Sequence, residues 1–167
     1  AVSKSPLGPF SCVEQDVLGT LGGNPQVFRA HDGTLLLAAQ PKDNICNIWS
    51  SASGTVRGPW HCYSNATNRG FNNPSLAQAS DPKSLALYFH APKYYGSAVY
   101  GASAASPRGP WVSHTISNDS KRMEYGKDQL FVHPCEDPFA WFDVKAQRFR
   151  MVVHSFRMGL LCGAGTT

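Results

Sequence analysis

The chain alternates short apolar runs with turn-forming residues, a pattern typical of β-strands. Residues 24–40, 73–90 and 137–154 each hold two such runs on either side of a turn sequence. The turn sequences are Asp-Gly, Asp-Pro-Lys-Ser and Asp-Val-Lys-Ala-Gln. Runs of this length bounded by Asp, Gly and Pro predict three antiparallel hairpins.

A second pattern, Gly-Pro-aromatic, returns at an almost constant interval. It stands at Gly8-Pro9-Phe10, Gly58-Pro59-Trp60 and Gly109-Pro110-Trp111, which are 50 and 51 residues apart. We call each Gly-Pro-aromatic sequence a corner. An apolar run with small and hydroxyl residues precedes each corner, and another short strand-like run follows it. With 15 Gly and 12 Pro and no convincing helical pattern, each unit is predicted to contain four short strands.

Four antiparallel strands repeated about every fifty residues are typical of a β-propeller blade. The sequence therefore predicts an all-β chain built from four-stranded antiparallel blades. Gly permits the corner, Pro fixes φ there, and the aromatic side chain is expected to pack between blades. The predicted units cover roughly residues 1–18, 22–66, 71–118 and 131–167 of one incomplete propeller domain, with a longer loop at 118–135 in the last repeat.

Composition narrows the possible partners. With 42% hydrophobic and 16% charged residues, the chain resembles an ordinary globular protein, and no apolar stretch is long enough to span a membrane. The 15 Lys and Arg are scattered, which argues against a nucleic-acid partner despite the net charge of +4. No phosphate loop, catalytic Ser/His/Asp pattern or Cys/His metal spacing is found, so no cofactor or metal is predicted.

Cysteines and glycosylation sequons point to a secreted or cell-surface protein. Asn65 and Asn118 each begin an Asn-x-Ser/Thr sequon in polar surroundings. Cys46 and Cys62 flank one predicted hairpin and are the favoured disulfide pair. Cys12 and Cys62 occupy equivalent positions in neighbouring units, too far apart to bond. Because the chain has five cysteines, at least one is free or pairs elsewhere.

The combination of Ser-Pro-x-Gly-Pro-Trp corners with the stretch "CEDPFAWFDVKAQRFRMVVHS" resembles the five-bladed propellers of glycoside hydrolase family 43 and the related families 32, 62 and 68. The resemblance implies about three blades of a five-bladed ring, with the remaining blades supplied by the same polypeptide or another chain. It also implies a central pocket for a carbohydrate ligand, where the innermost strands begin. In active members of these families, a base Asp, an acid-orienting Asp and an acid Glu come from three blades.

The positions that match those carboxylates are Asn24, Asn73 and Asp137, with Glu136 beside the last. Asn cannot act as a base, so the leading hypothesis is a carbohydrate-binding propeller in which Glu136 and Asp137 are the candidate catalytic residues. An inverting hydrolase acting on wall polysaccharide and an interaction propeller with a vestigial pocket are the alternatives. Because neighbours on a strand point to opposite faces, Glu136 and Asp137 are not expected to address one bond together.

Further candidates for ligand contact lie at the ends of the second strands of the hairpins. Gln40, His90 and His154 should finish near the point where the first strands begin, because antiparallel partners meet there. Trp141 alternates with Asp137 on β-strand spacing and so shares its face. Its ring suits either stacking on a sugar or packing between blades.

Overall fold

The computed structural model describes residues 4–9, 11, 21–41, 46–66, 72–93, 96–113 and 135–155. These residues form β-strands and turns, and none of them lies in a helix. The predicted all-β, antiparallel class is therefore confirmed for this part of the chain. No helix long and apolar enough to cross a membrane occurs in the described ranges.

The described residues form ten strands in three antiparallel sheets. The first sheet has the order β1-β2-β3-β4, the second has the order β5-β6-β7-β8, and the third pairs β9 with β10. The strands are β1 (Leu21–Arg29), β2 (Leu35–Pro41), β3 (Ile48–Ser51), β4 (Trp60–Ser64), β5 (Asn72–Gln78), β6 (Leu85–Lys93), β7 (Gly96–Ala104), β8 (Val112–Ser113), β9 (Cys135–Asp143) and β10 (Arg148–Ser155). Among the described residues the sheets do not close into a ring, and their arrangement as propeller blades stays a prediction.

The three predicted hairpins are present, and an aspartate organises each turn. Asp32 accepts a hydrogen bond from the backbone N–H of Thr34 at 2.8 Å, and Asp81 accepts one from that of Lys83 at 3.0 Å. Asp143 accepts one from the backbone N–H of Ala146 at 3.0 Å. Aspartate favours turns because its side chain satisfies backbone donors that no strand partner reaches.

The Gly-Pro corners also have a common geometry. Gly8, Gly58 and Gly109 adopt φ values of 81°, 78° and 88°, and the Gly-Pro peptide bond that follows each glycine is cis. Trp60 packs against a cluster of Leu37, Ala39, Cys46 and Trp49. Trp111 packs against the main core and donates a hydrogen bond from its ring nitrogen to Ser64 on the first sheet at 3.2 Å. The expected packing between neighbouring units is thus confirmed for Trp111, whereas Trp60 packs against its own sheet and Phe10 lies outside the described residues.

The main core lies between the first and second sheets. Its buried side chains come from both sheets and include Leu36, Ile48, Leu76, Leu87, Phe89 and Tyr100. On β6, Leu85, Leu87 and Phe89 are spaced two residues apart and are all buried in this core, so they share one face of the second sheet. This packing holds β1 against β5, and β5 in turn lies against β9.

Cys46 and Cys62 form a disulfide with a Cα–Cα separation of 5.8 Å, as predicted. The bond joins the residue two positions before β3 to the middle of β4. Cys12 and Cys162 lie outside the described residues, as does most of the predicted loop at 118–135.

Candidate functional site

Three Asx-Pro pairs occupy equivalent positions near the starts of β1, β5 and β9. Asn24, Asn73 and Asp137 have left-handed φ values of 49°, 48° and 51°. Asn and Asp tolerate this region better than other residues with side chains. The strand pairing shifts register at each pair, which makes three equivalent bulges. A bulge redirects side chains away from the regular alternation of a strand.

The three bulges bring these side chains into direct contact. The Asn24 amide donates a hydrogen bond to Oδ1 of Asn73, and the Asn73 amide donates one to Oδ1 of Asp137. The predicted convergence of the three strand starts is confirmed by these contacts. Asn24, Asn73 and Asp137 thus form a hydrogen-bond relay. The relay has one direction, because the two amides donate and the carboxylate at its end only accepts.

The candidate residues at the ends of the second strand of each hairpin lie beside this relay, as the register of the hairpins predicted. Gln40 pairs with Gly23, His90 with Asn72, and His154 with Glu136. Each therefore lies opposite the residue that precedes an Asx-Pro pair. His90 is buried, Gln40 is partly buried and His154 is exposed.

Glu136 and Asp137 share one imidazole. Nδ1 of His154 lies 3.3 Å from Oε1 of Glu136 and 3.8 Å from Oδ2 of Asp137. The expectation that the two carboxylates point to opposite faces was therefore wrong. That expectation assumed regular strand geometry. The left-handed φ of Asp137 and the register shift between Val152 and His154 instead turn both carboxylates toward the His154 imidazole.

His90 is the most unusual polar residue near the relay. It is 6% exposed, and neither of its ring nitrogens has a hydrogen-bond partner among the residues that the structure describes. Burial lowers the pKa of its imidazole, and the charges of Glu136 and Asp137 partly oppose that effect. Burial therefore favours the neutral form of this ring.

Trp141 lies away from the relay. It lines a groove of about 500 Å³ together with Phe139, Gln26, Arg29 and Gln78, and none of the three Asx residues contributes to that groove. Phe139 and Trp141 are 58% and 40% exposed, and their ring centroids are 6.2 Å apart. The structure therefore separates Trp141 from the other candidate residues, with which the sequence had grouped it.

The sequon residue Asn65 is exposed at the end of the first sheet. Its side-chain oxygen accepts a hydrogen bond from buried Asn47 at 2.8 Å. Asn118 lies outside the described residues.

Sequence reasoning missed that Glu136, Asp137 and His154 form a group of possible metal ligands. One ligand atom from each lies within 4.8 Å of the others. Spacing along the chain does not reveal this group, because it forms across a hairpin. The signal that predicts it is the register of that hairpin, which places His154 opposite Glu136.

No protein-family model matches the chain, and no curated protein matches it. Among solved structures, it is similar to the crystal structure of an endo-1,4-beta-xylanase from Bacteroides thetaiotaomicron VPI-5482, with a TM-score of 0.60 and 20% sequence identity. The match covers 96% of this chain and 58% of the xylanase chain. The chain therefore shares its fold with part of that xylanase chain. At this identity the similarity shows the fold alone, and the chain spans little more than half of the xylanase.

Proposed function

We propose that the chain is part of a carbohydrate-binding β-propeller whose ligand sits at the relay of Asn24, Asn73 and Asp137. One observation carries the proposal: three equivalent polar residues from three adjacent sheets meet at one point. Ligand sites commonly form where several elements converge on a few polar groups. The glycoside hydrolase-like fold supports a sugar as the ligand.

The architecture that fits this proposal is a five-bladed ring related to glycoside hydrolase family 43. The first two sheets, each of four strands in chain order, are two blades, and β9 with β10 belongs to a third. The ring is completed by further blades, from the same polypeptide or another chain. The similar xylanase is longer than this chain, which is consistent with additional blades.

The chemistry of the relay suits sugar hydroxyls. A hydroxyl group both donates and accepts hydrogen bonds, and amide, carboxylate and imidazole groups offer it both kinds of partner. Asn24, Asp137 and His154 are accessible to a ligand, whereas His90 and Gln40 support the pocket from deeper positions. Trp141, in the separate groove, is proposed to stack on a more distant sugar ring or on another blade.

Binding without cleavage is the activity that the geometry favours. Carboxyl groups in inverting glycosidases lie about 6.5–9.5 Å apart, which leaves room for the attacking water. Ligand oxygens of Glu136 and Asp137 lie within 4.8 Å of each other. This pair is too close to serve as the acid and base of an inverting glycosidase. An inverting hydrolase would need an opposing carboxylate from another blade.

The disulfide between Cys46 and Cys62 supports a secreted or cell-surface location, because such bonds persist in oxidising compartments. Exposed Asn65 is the proposed glycan acceptor within the described residues, and Asn118 remains a second candidate.

Calorimetric titration with xylan, arabinan and galactan oligosaccharides tests the proposal, with product analysis run in parallel. We expect binding of one oligosaccharide class without turnover, and weaker binding by Asp137→Asn. Asp81→Asn is the matched control, because it makes the same change in an exposed turn. Turnover that Asp137→Asn abolishes would contradict the binding-only proposal. Absence of binding to all three classes would favour an interaction propeller.

A further inference from the structure

We propose that Glu136, Asp137, His154 and His90 form a site for one divalent first-row transition-metal cation of the Zn²⁺ type. This inference goes beyond carbohydrate binding and does not rest on it. The cation would lie beside the relay, at the end of the hairpin formed by β9 and β10.

The first support is the geometry of three ligand atoms. Nδ1 of His154 and one oxygen each from Glu136 and Asp137 lie within 4.8 Å of one another. Ligands about 2.0–2.2 Å from a tetrahedral zinc ion lie roughly 3.5 Å apart, so small side-chain rotations bring these atoms to coordinating distance. The bulge at Asp137 aims both carboxylates toward the imidazole, and a regular strand would not.

The second support is His90, which is independent of that group because it comes from β6. Its imidazole is buried, and neither nitrogen has a partner in the described part of the chain. His90 pairs with Asn72 on β5, next to Asn73, whose amide contacts Asp137. Leaving a buried polar group unsatisfied costs about 1–3 kcal/mol. A cation between the imidazole and the two carboxylates would satisfy the ring.

Asn73 supplies the supporting contact that metal-binding carboxylates usually have. Its amide donates to Oδ1 of Asp137, whereas Oδ2 is the atom near His154. One oxygen of Asp137 is thus held by the relay while the other remains directed toward the group. Such outer contacts orient ligands, and removing one typically weakens metal affinity by about 10–100-fold.

The donor set determines the class of cation. Two imidazole nitrogens with two carboxylate oxygens suit zinc and its first-row neighbours, whereas calcium and magnesium prefer oxygen ligands alone. The two carboxylates also neutralise a double positive charge. We therefore expect the site to select Zn²⁺ over Ca²⁺.

Calorimetric titration of the purified chain with ZnCl₂, and separately with CaCl₂, tests the site. Free thiols are first blocked with iodoacetamide, so that cysteines do not bind zinc. We expect one Zn²⁺ per chain and at least tenfold weaker binding by Glu136→Gln and by His154→Gln. His61→Gln, which removes an exposed histidine on β4, should leave the affinity unchanged.

Equal zinc affinity in wild type, Glu136→Gln and His154→Gln would overturn the proposal, as would equal affinities for Zn²⁺ and Ca²⁺ or the absence of zinc binding. Because His90→Asn alters a buried position, its near-ultraviolet circular dichroism is compared with that of the wild type before titration. If it does not fold, Asn73→Gly replaces it, with an expected loss of about tenfold or more. Both titrations omit sugar, so failure of this site and failure of carbohydrate binding are separate results.

Discussion

Ser75 on β5 accepts a hydrogen bond from the backbone N–H of Ala140 on β9 at 2.9 Å. Gln26 has the same relationship one sheet earlier, because its side-chain oxygen accepts from the backbone N–H of Leu76. Gln26 and Ser75 each lie two residues after an Asx-Pro asparagine. Adjacent sheets are therefore joined at two levels, once through the Asx side chains and once through these bonds to the backbone.

We expect Ser75→Ala to destabilise the chain. Ser75 is buried, and its loss leaves the backbone N–H of Ala140 without this acceptor. An unsatisfied buried donor costs about 1–3 kcal/mol, and chemical denaturation measures the loss of unfolding free energy. Ser80→Ala, at an exposed serine beyond the end of β5, is the control and should cost less than about 0.5 kcal/mol. Equal stability of the two variants would show that the bond contributes nothing.

The sequence predicted the elements of this fold better than the contacts between them. Asp32-Gly33 and the corner at Gly58-Pro59 act through local backbone geometry, so their effects are visible in a few neighbouring residues. The convergence of Asn24 with Asn73 was also predictable, because equivalent positions of a repeat occupy equivalent places.

Three other features depend on three-dimensional detail that a repeat does not specify. Gln26 and Ser75 differ in size and chemistry, so nothing in their pattern predicts that both accept from a neighbouring sheet. The shared orientation of Glu136 and Asp137 depends on a left-handed residue within a strand, which the rule of alternating faces ignores. The burial of His90 likewise results from how β6 packs and not from its own hairpin.

Gly58→Ala tests the proposed reason for the corner. Gly58 has a φ of 78°, and an added Cβ would lie 2.8 Å from both the backbone nitrogen and Cδ1 of Trp60. We expect the variant to lose about 2 kcal/mol or more of unfolding free energy, from left-handed backbone strain and from the displaced tryptophan.

Gly54→Ala is the matched control, because Gly54 has a φ of 68° but nothing within 4 Å of an added Cβ. This variant should show the backbone cost alone, about 1–2 kcal/mol. Denaturation curves that coincide for the two variants would rule out a role for the Trp60 contact at the corner.

The disulfide should contribute measurably to stability. Cys46 and Cys62 are separated by 16 residues, and closing a loop of this length stabilises a folded chain by about 3 kcal/mol. We expect a double Cys46→Ala, Cys62→Ala variant to lose stability on that scale in thermal or denaturant unfolding. Peptide mapping under non-reducing conditions checks the pairing, and a Cys12–Cys62 bond would contradict the equivalence of the first two repeats.

Asp143 provides a test of acid sensitivity. The backbone N–H of Ala146, and next the side chain of Arg150 with its Nε 2.6 Å from Oδ2, hold the pKa of this carboxyl below its ordinary value. The folded state therefore binds the proton less tightly than the unfolded state, in which the pKa is about 3.9. The resulting stabilisation is fully present above that unfolded value and is lost as the pH falls through the lowered folded value.

We accordingly expect Asp143→Asn to be less stable than wild type near neutral pH, and the difference to shrink as the solution is acidified below about pH 4. Denaturant unfolding at a series of pH values measures that difference. Arg150→Gln should remove part of the same pH dependence, because the backbone N–H of Ala146 still favours the ionised carboxylate. If Asp143→Asn lost the same stability at every pH, the turn would act through packing, and the charge of Asp143 would have no part in it.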